Sequence, residues 1–201
     1  MGNIGIIGRA RVGKDTAGQW LVANRGYRRI GFADALKEAA LKLDPIVETY
    51  ALHSPTEAVE RRLSDLVQAV GWEGAKDDVP EVRRILQELG MAIRAIDEEF
   101  WLRAALKTVT EANEDGVPVV ITDVRFPNES DSLRRAGFHL VYIDRPGVPQ
   151  LDHESEGALT AEDADFRVMN SATVDDLHAE IELVMSTVHM IESRRHYARS
   201  L

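Results

Sequence analysis

The chain has 201 residues, 44% hydrophobic and 29% charged, which suits one soluble globular domain that buries its own core without staples. Its 34 acidic side chains against 24 basic ones give a net charge of −10, which argues against holding nucleic acid by bulk charge. The absence of cysteine excludes disulfides, thiolate catalysis and Cys-based zinc sites together, and fits a reducing compartment.

The opening Met1-Gly-Asn-Ile-Gly-Ile-Ile-Gly8 has no basic leader region, so no secretion signal is expected. Ile6 stands where a myristoylation pattern needs Ser or Thr. No apolar run approaches the roughly 20 residues of a membrane span, so a cytoplasmic protein is expected. The basic residues are 19 Arg and 5 Lys, a bias that fits either GC-rich coding or planar forks for phosphate oxygens.

In chain order, Asn3 to Ile7 reads as a buried parallel strand, and Lys14 to Asn24 as a helix stopped by Gly26. Tyr27 to Phe32 reads as a second strand, followed by a helix over 35–43 that Pro45 closes. From about 44 to 97 the pattern is mainly helical and carries no strong strand signal. Ser54-Pro55 looks like a helix start, 58–70 is amphipathic, 71–79 is looser, and Pro80 opens a helix to about Ile93. A helix over 98–114 precedes the clearest strand, Val117 to Val124. A short helix around Leu133–Ala136, a strand at Phe138–Ile143, a loop from Arg145, a short strand at Phe166–Met169 and a long helix from Val174 complete the chain. Strands alternating with helices predict a parallel sheet covered on both faces, with segments 44–97 and 145–165 inserted at its ligand-binding edge.

Gly8-Arg-Ala-Arg-Val-Gly13-Lys14-Asp15-Thr16 lies between a strand and a helix, the context of a Walker A phosphate loop. Gly8 and Gly13 let backbone N–H groups wrap a phosphate at the positive end of the helix, Lys14 reaches the β- and γ-phosphates, and Arg11 lies within the loop. Asp15 stands where Ser or Thr usually binds Mg²⁺, so either Asp15 or Thr16 serves the metal. Asp123 ends the apolar strand as a Walker B carboxylate, and Arg125 follows at the same strand tip. Asp34 either caps its helix or faces the active edge, with Lys37 one turn along. Arg83, Gln87 and Arg94 form one polar stripe suited to clamping an acceptor. Arg145 opens a candidate lid over 145–165 that contains His153-Glu-Ser-Glu156. Trp20 and Trp101 fit helix core faces, and Trp72 is a candidate for stacking on a base.

These motifs, with Phe32-Ala-Asp-Ala-Leu-Lys37, Leu86-Gln-Glu-Leu-Gly90, Thr122-Asp-Val-Arg-Phe-Pro-Asn-Glu129 and Asp165-Phe-x-Val-x-Asn170, resemble the bacteriophage deoxynucleoside monophosphate kinases over nearly the whole chain. The resemblance implies an α/β, three-layer P-loop fold of the nucleoside monophosphate kinase kind, with a parallel five-stranded core over 1–43 and 98–201. It implies ATP with Mg²⁺ as donor, a small monophosphate as acceptor, Asn170 near the adenine, Glu156 on the acceptor side and a host-cytoplasmic setting. A monomer or homodimer is expected, without stable nucleic-acid or membrane binding. The Gly-Lys-Asp-Thr, Asp-Val-Arg and Ser-Glu pattern is shared in outline with animal-type phosphomevalonate kinases. Other readings are therefore a kinase for such an acceptor, a kinase for modified bases in DNA, and a nucleotide-binding module without turnover.

Overall fold

Four consecutive buried residues, Ile4 to Ile7, are what a strand looks like when helices cover both faces of its sheet. The computed structural model of the chain describes residues 2–51, 58–149 and 157–200. In chain order the elements are β1 (Ile4–Ile7), α1 (Lys14–Arg25), β2 (Arg28–Arg29), α2 (Asp34–Leu43), β3 (Ile46–Ala51), β4 (Ala58–Arg62), α3 (Leu63–Asp78), α4 (Pro80–Ile96), α5 (Phe100–Glu114), β5 (Val119–Val124), α6 (Pro127–Arg135), β6 (His139–Asp144), β7 (Phe166–Met169) and α7 (Val174–Arg199). They form two compact units, Met1–Gly31 with Leu106–Leu201, and Phe32–Ala105.

The first unit is a five-stranded parallel sheet in the order β2-β5-β1-β6-β7. Alternate residues of β1 face opposite layers. Ile4 and Ile6 join Val120, Val141, Ile143 and Val168 against Leu21 of α1 and Leu177, Ile181 and Val188 of α7. On the other face a Cβ at Gly5 would meet the side chains of Leu140 and Leu133, so α6 lies close over the sheet there. Each such fully buried Leu or Ile contributes about 1.5–3 kcal/mol, so β1 is firmly anchored between the two layers. Ile7 pairs with Val124 on one side and Tyr142 on the other, and Asp144 with Met169. The residues that follow these strands are thereby gathered along one carboxyl edge.

Two expectations are trimmed here. The second strand is confined to Arg28–Arg29, although Ile30 still donates to the Val120 carbonyl at 3.0 Å. As an edge strand it has one neighbour to hold it. The helix placed around Leu133 instead begins at Pro127, the first helical position where proline's fixed φ is an advantage.

The second unit holds α2, α3, α4 and an antiparallel hairpin, β3–β4, around Ala40, Val47, Leu63, Leu66, Ala75, Val79 and Val82. The hairpin corrects the expectation that 44–97 lacks strands. Only Val47 of β3 is buried, and β4 reads Ala-Val-Glu-Arg-Arg, so neither sequence alternates apolar with polar residues, although the burial of β4 does alternate. Cross-strand pairing outweighs the helical preference of Ala, Glu and Arg, with Arg61 and Glu48 opposed at 3.7 Å. The amphipathic helix accordingly begins at Leu63 rather than at 58. The looser segment 71–79 is helical to Asp78 after a break at Gly71, whose φ of 71° and ψ of 174° leave the helix for one residue. The proposed cap at Ser54 lies outside the described residues. Among the described residues no helix is long and apolar enough to cross a membrane.

Candidate active site

The loop between β1 and α1 is shaped by its glycines. Gly8 has φ 145°, Gly13 has φ 105°, and a Cβ at Gly13 would lie 2.7 Å from Nδ2 of Asn170. Larger residues are excluded by conformation and by space alike. Between them Arg11 is exposed and holds a left-handed φ of 64°, a conformation costing a non-glycine residue about 1 kcal/mol. The helix begins where Ala17 N–H donates to the Gly13 carbonyl. Lys14 folds back across the loop, donating from Nζ to the carbonyls of Gly8 at 2.6 Å and Arg9 at 2.7 Å.

Other strand ends brace this loop. The buried Asn170, just past β7, donates from Nδ2 to the Val12 carbonyl at 2.9 Å, while its own N–H donates to the Asp144 carbonyl at 2.7 Å. Arg9 donates from Nη2 to Asp144 Oδ1 at 3.0 Å and from Nη1 to the Val148 carbonyl at 3.0 Å. Arg145 follows Asp144 and is exposed.

β5 carries an irregularity where the chemistry is expected. Gly5 faces Ile121 but Ile7 faces Val124, so β5 spends one extra residue there. Such a bulge re-aims side chains. Thr122, buried, donates from Oγ1 to Asp15 Oδ1 at 2.8 Å, and Asp123 is half-buried beside it. The Asp15 carboxylate, at the head of α1, is thus tied to the strand that ends in Asp123. Immediately beyond, the backbone N–H groups of Arg125 and Phe126 both donate to Glu129 Oε2, at 2.8 and 3.1 Å. Glu129 is only 6% exposed, so these bonds lock the turn that carries Arg125. Arg9, Lys14 and Arg125 line one small cavity with Ile7, Gly8, Val124, Gly157 and Leu159. Three cations beside a left-handed glycine loop have the charge and the donors to take phosphate oxygens.

The donor set fits a magnesium nucleotide. Asp15, Thr16 and Asp123 offer hard oxygens, and Mg²⁺ bound with phosphates needs one or two carboxylates rather than a full protein cage. No group of three or more His, Cys, Asp or Glu placed to hold a metal ion occurs among the described residues.

Asp34, Lys37, Arg83, Gln87 and Arg94 lie in the second unit. The N-cap position of α2 is Ala33 and Asp34 is its first helical residue, so Asp34 is not the cap. Lys37, one turn on, places Nζ 5.8 Å above the Trp72 ring. Arg83 is exposed and bonded to the Lys76 carbonyl and the Asp77 carboxylate, and Gln87 and Arg94 are exposed on the same helix. His153 and Glu156 lie outside the described residues. Sequence reasoning did not single out Arg9, Thr122, Glu129 or Asp144. Glu129 alone carried a local signal, an acid three residues past the turn as in a capping box.

Comparison with known proteins shows the family. The model of the Deoxynucleotide monophosphate kinase family matches residues 46–181. A putative deoxynucleotide monophosphate kinase of Acanthamoeba polyphaga mimivirus is 29% identical over 187 residues, covering 89% of this chain and 93% of that one. The deoxynucleotide monophosphate kinase of Escherichia phage RB69 is 26% identical over 113 residues, 54% of this chain and 46% of that one. In structure, the dephospho-CoA kinase from Campylobacter jejuni aligns over 92% of this chain and 96% of its own, with a TM-score of 0.50 at 14% identity, a likeness of fold. The matched span runs from the hairpin through β5, Arg125 and β7 into α7, and on it the chain belongs to the deoxynucleotide monophosphate kinase family and is a phosphotransferase.

Proposed function

We propose that the protein moves the γ-phosphoryl group of ATP onto the 5'-phosphate of deoxynucleoside monophosphates, yielding the diphosphates and ADP in the cytoplasm. The observation that supports it most is the convergence of Lys14 and Arg125 on one cavity at the mouth of the glycine loop. A phosphate monoester has a second pKa of about 6, so the attacking oxygen is already ionised at neutral pH and no general base is required. Catalysis then consists of positioning and charge neutralisation. The loop N–H groups from Gly8 to Gly13 and the Lys14 ammonium hold the donor phosphates. Arg11 and Asn170 complete the donor side. Asp15, Thr16 and Asp123 would hold Mg²⁺, which neutralises charge on the phosphates when bound. Arg125, fixed by Glu129, receives the acceptor phosphate, and Arg145 shields the transferring group from water. Asp34, Lys37, Arg83, Gln87, Arg94 and Glu156 serve the acceptor in this reading, within a single kinase domain that carries an acceptor-binding insertion and a lid.

A coupled ADP-release assay with ATP, Mg²⁺ and a panel of deoxynucleoside monophosphates, their ribonucleotides and phosphomevalonate tests the assignment. Turnover is expected with at least one deoxynucleotide. Turnover with phosphomevalonate alone, or none at all, overturns it. Lys14→Ala is expected to abolish turnover while the circular dichroism spectrum is retained.

A further inference from the structure

The Arg9–Asp144 pair has no part in the reading above. Arg9 is the first residue after Gly8, and its side chain crosses from the phosphate loop to the exit of β6. Asp144 is held from three directions. Arg9 binds one carboxylate oxygen at 3.0 Å, Arg167 of β7 lies 3.5 Å from the other, and the Asp144 carbonyl accepts from Asn170 N–H at 2.7 Å. The second Arg9 contact, to the Val148 carbonyl, reaches the segment that follows Arg145. Val148 itself packs on the main core, so the guanidinium is held between the end of β6 and a residue of that core.

A guanidinium carries five N–H groups. Two are spent on Asp144 and Val148, and three remain unspent among the described residues. The Arg9 side chain is 26% exposed and lines the cavity that Lys14 and Arg125 share. A purely structural arginine needs only its two anchors. One that is pinned, largely withdrawn from solvent and still rich in donors beside two other cations is a preorganised oxyanion site.

We propose that Arg9 is a further catalytic residue that contacts the γ-phosphate oxygens of the donor, and that Asp144 is the positioning residue that aims it. This rests on the kinase reading. The choice of the γ-phosphate follows from the cavity itself. Lys14 of the donor loop and Arg125 of the acceptor side both line it together with Arg9, and the group that a kinase passes from donor to acceptor is the γ-phosphoryl group.

The test compares ATP with ADP, because only ATP carries the γ-phosphate. Affinities for both, with Mg²⁺, are measured by calorimetry on the full chain as wild type, Arg9→Gln, Arg9→Lys and Asp144→Asn, with melting curves to confirm folding. Arg9→Gln is expected to lose about tenfold in ATP affinity but no more than about threefold in ADP affinity, and to lower kcat by about 10²-fold. Arg9→Lys, which keeps the charge but not the fork, recovers part of the ATP preference. Asp144→Asn, which keeps the shape but frees Arg9, reduces the ATP-to-ADP ratio while leaving ADP affinity near that of wild type. An unchanged ratio in folded Arg9→Gln overturns the assignment. If that variant does not fold, an unchanged ratio in Arg9→Lys and Asp144→Asn does so instead. The binding ratio needs no acceptor, so failure of the acceptor panel and failure of this assignment are separate results.

Discussion

Gly13 and Asn170 together show how tightly the phosphate loop is specified. Gly13→Ala meets two penalties, a φ of 105° that alanine resists and a Cβ 2.7 Å from the Asn170 amide. A loss of about 1–3 kcal/mol is expected by urea unfolding. Asn170→Ala leaves the buried Val12 carbonyl without its donor and should cost about 1–3 kcal/mol. The double variant should cost less than the sum, because removing the amide relieves the clash though not the backbone strain. Strict additivity would show that the two do not touch. Glu129 is the second informative residue. Glu129→Ala strands the N–H groups of Arg125 and Phe126, and about 1.5–3 kcal/mol of stability should go with them. The acceptor KM should rise more than the ATP KM, since the turn it locks carries Arg125.

Helix α7 shows what an element contributes beyond its buried face. Leu177, Ile181 and Val188 dock it on the sheet, and Glu192, near its far end, accepts from the buried His139 of β6 at 2.9 Å and from Arg195 at 2.8 Å. Burial pushes the Glu192 carboxyl up, but the hydrogen bonds from His139 and Arg195 together outweigh it and hold it below its ordinary 4.5. A carboxyl lowered by folding stabilises the native state above its unfolded pKa, and that contribution is lost as pH falls through the lowered folded value. Stability measured from pH 6 downward should therefore decline below about 4.5, and Glu192→Gln should flatten the part of that decline due to this group. An identical pH profile in the variant would remove Glu192 from the account. In the second unit Asp44 plays a comparable local part. Its carboxylate accepts from the Ser64 N–H at 2.9 Å at the start of α3, and that bond holds its pKa below the usual carboxylate range.

At the scale of the molecule, a chain of net charge −10 brings three of its 24 cationic side chains to one cavity. Arg9, Lys14 and Arg125 come from two strand exits and one helix start, and share a cavity because β1 and β5 are neighbours in register. The second unit is built differently, on helices and a hairpin with its own core. Its polar residues Arg83, Gln87 and Arg94 share one helix, while Asp34 and Lys37 share another.

The sequence by itself determined the glycine loop between the first strand and helix, the Asp123–Arg125 strand tip, the alternating α/β order and the family. These are local patterns, since a glycine spacing or an apolar run ending in aspartate needs only its own neighbours to act. Tertiary structure decided the rest. Arg9 meets Asp144 across 135 residues and Thr122 meets Asp15 across 107, contacts that no spacing rule can anticipate. The β3–β4 hairpin was hidden for the same reason. Its strands become strands by pairing, against the helical leaning of their own residues, and pairing is a property of the folded chain.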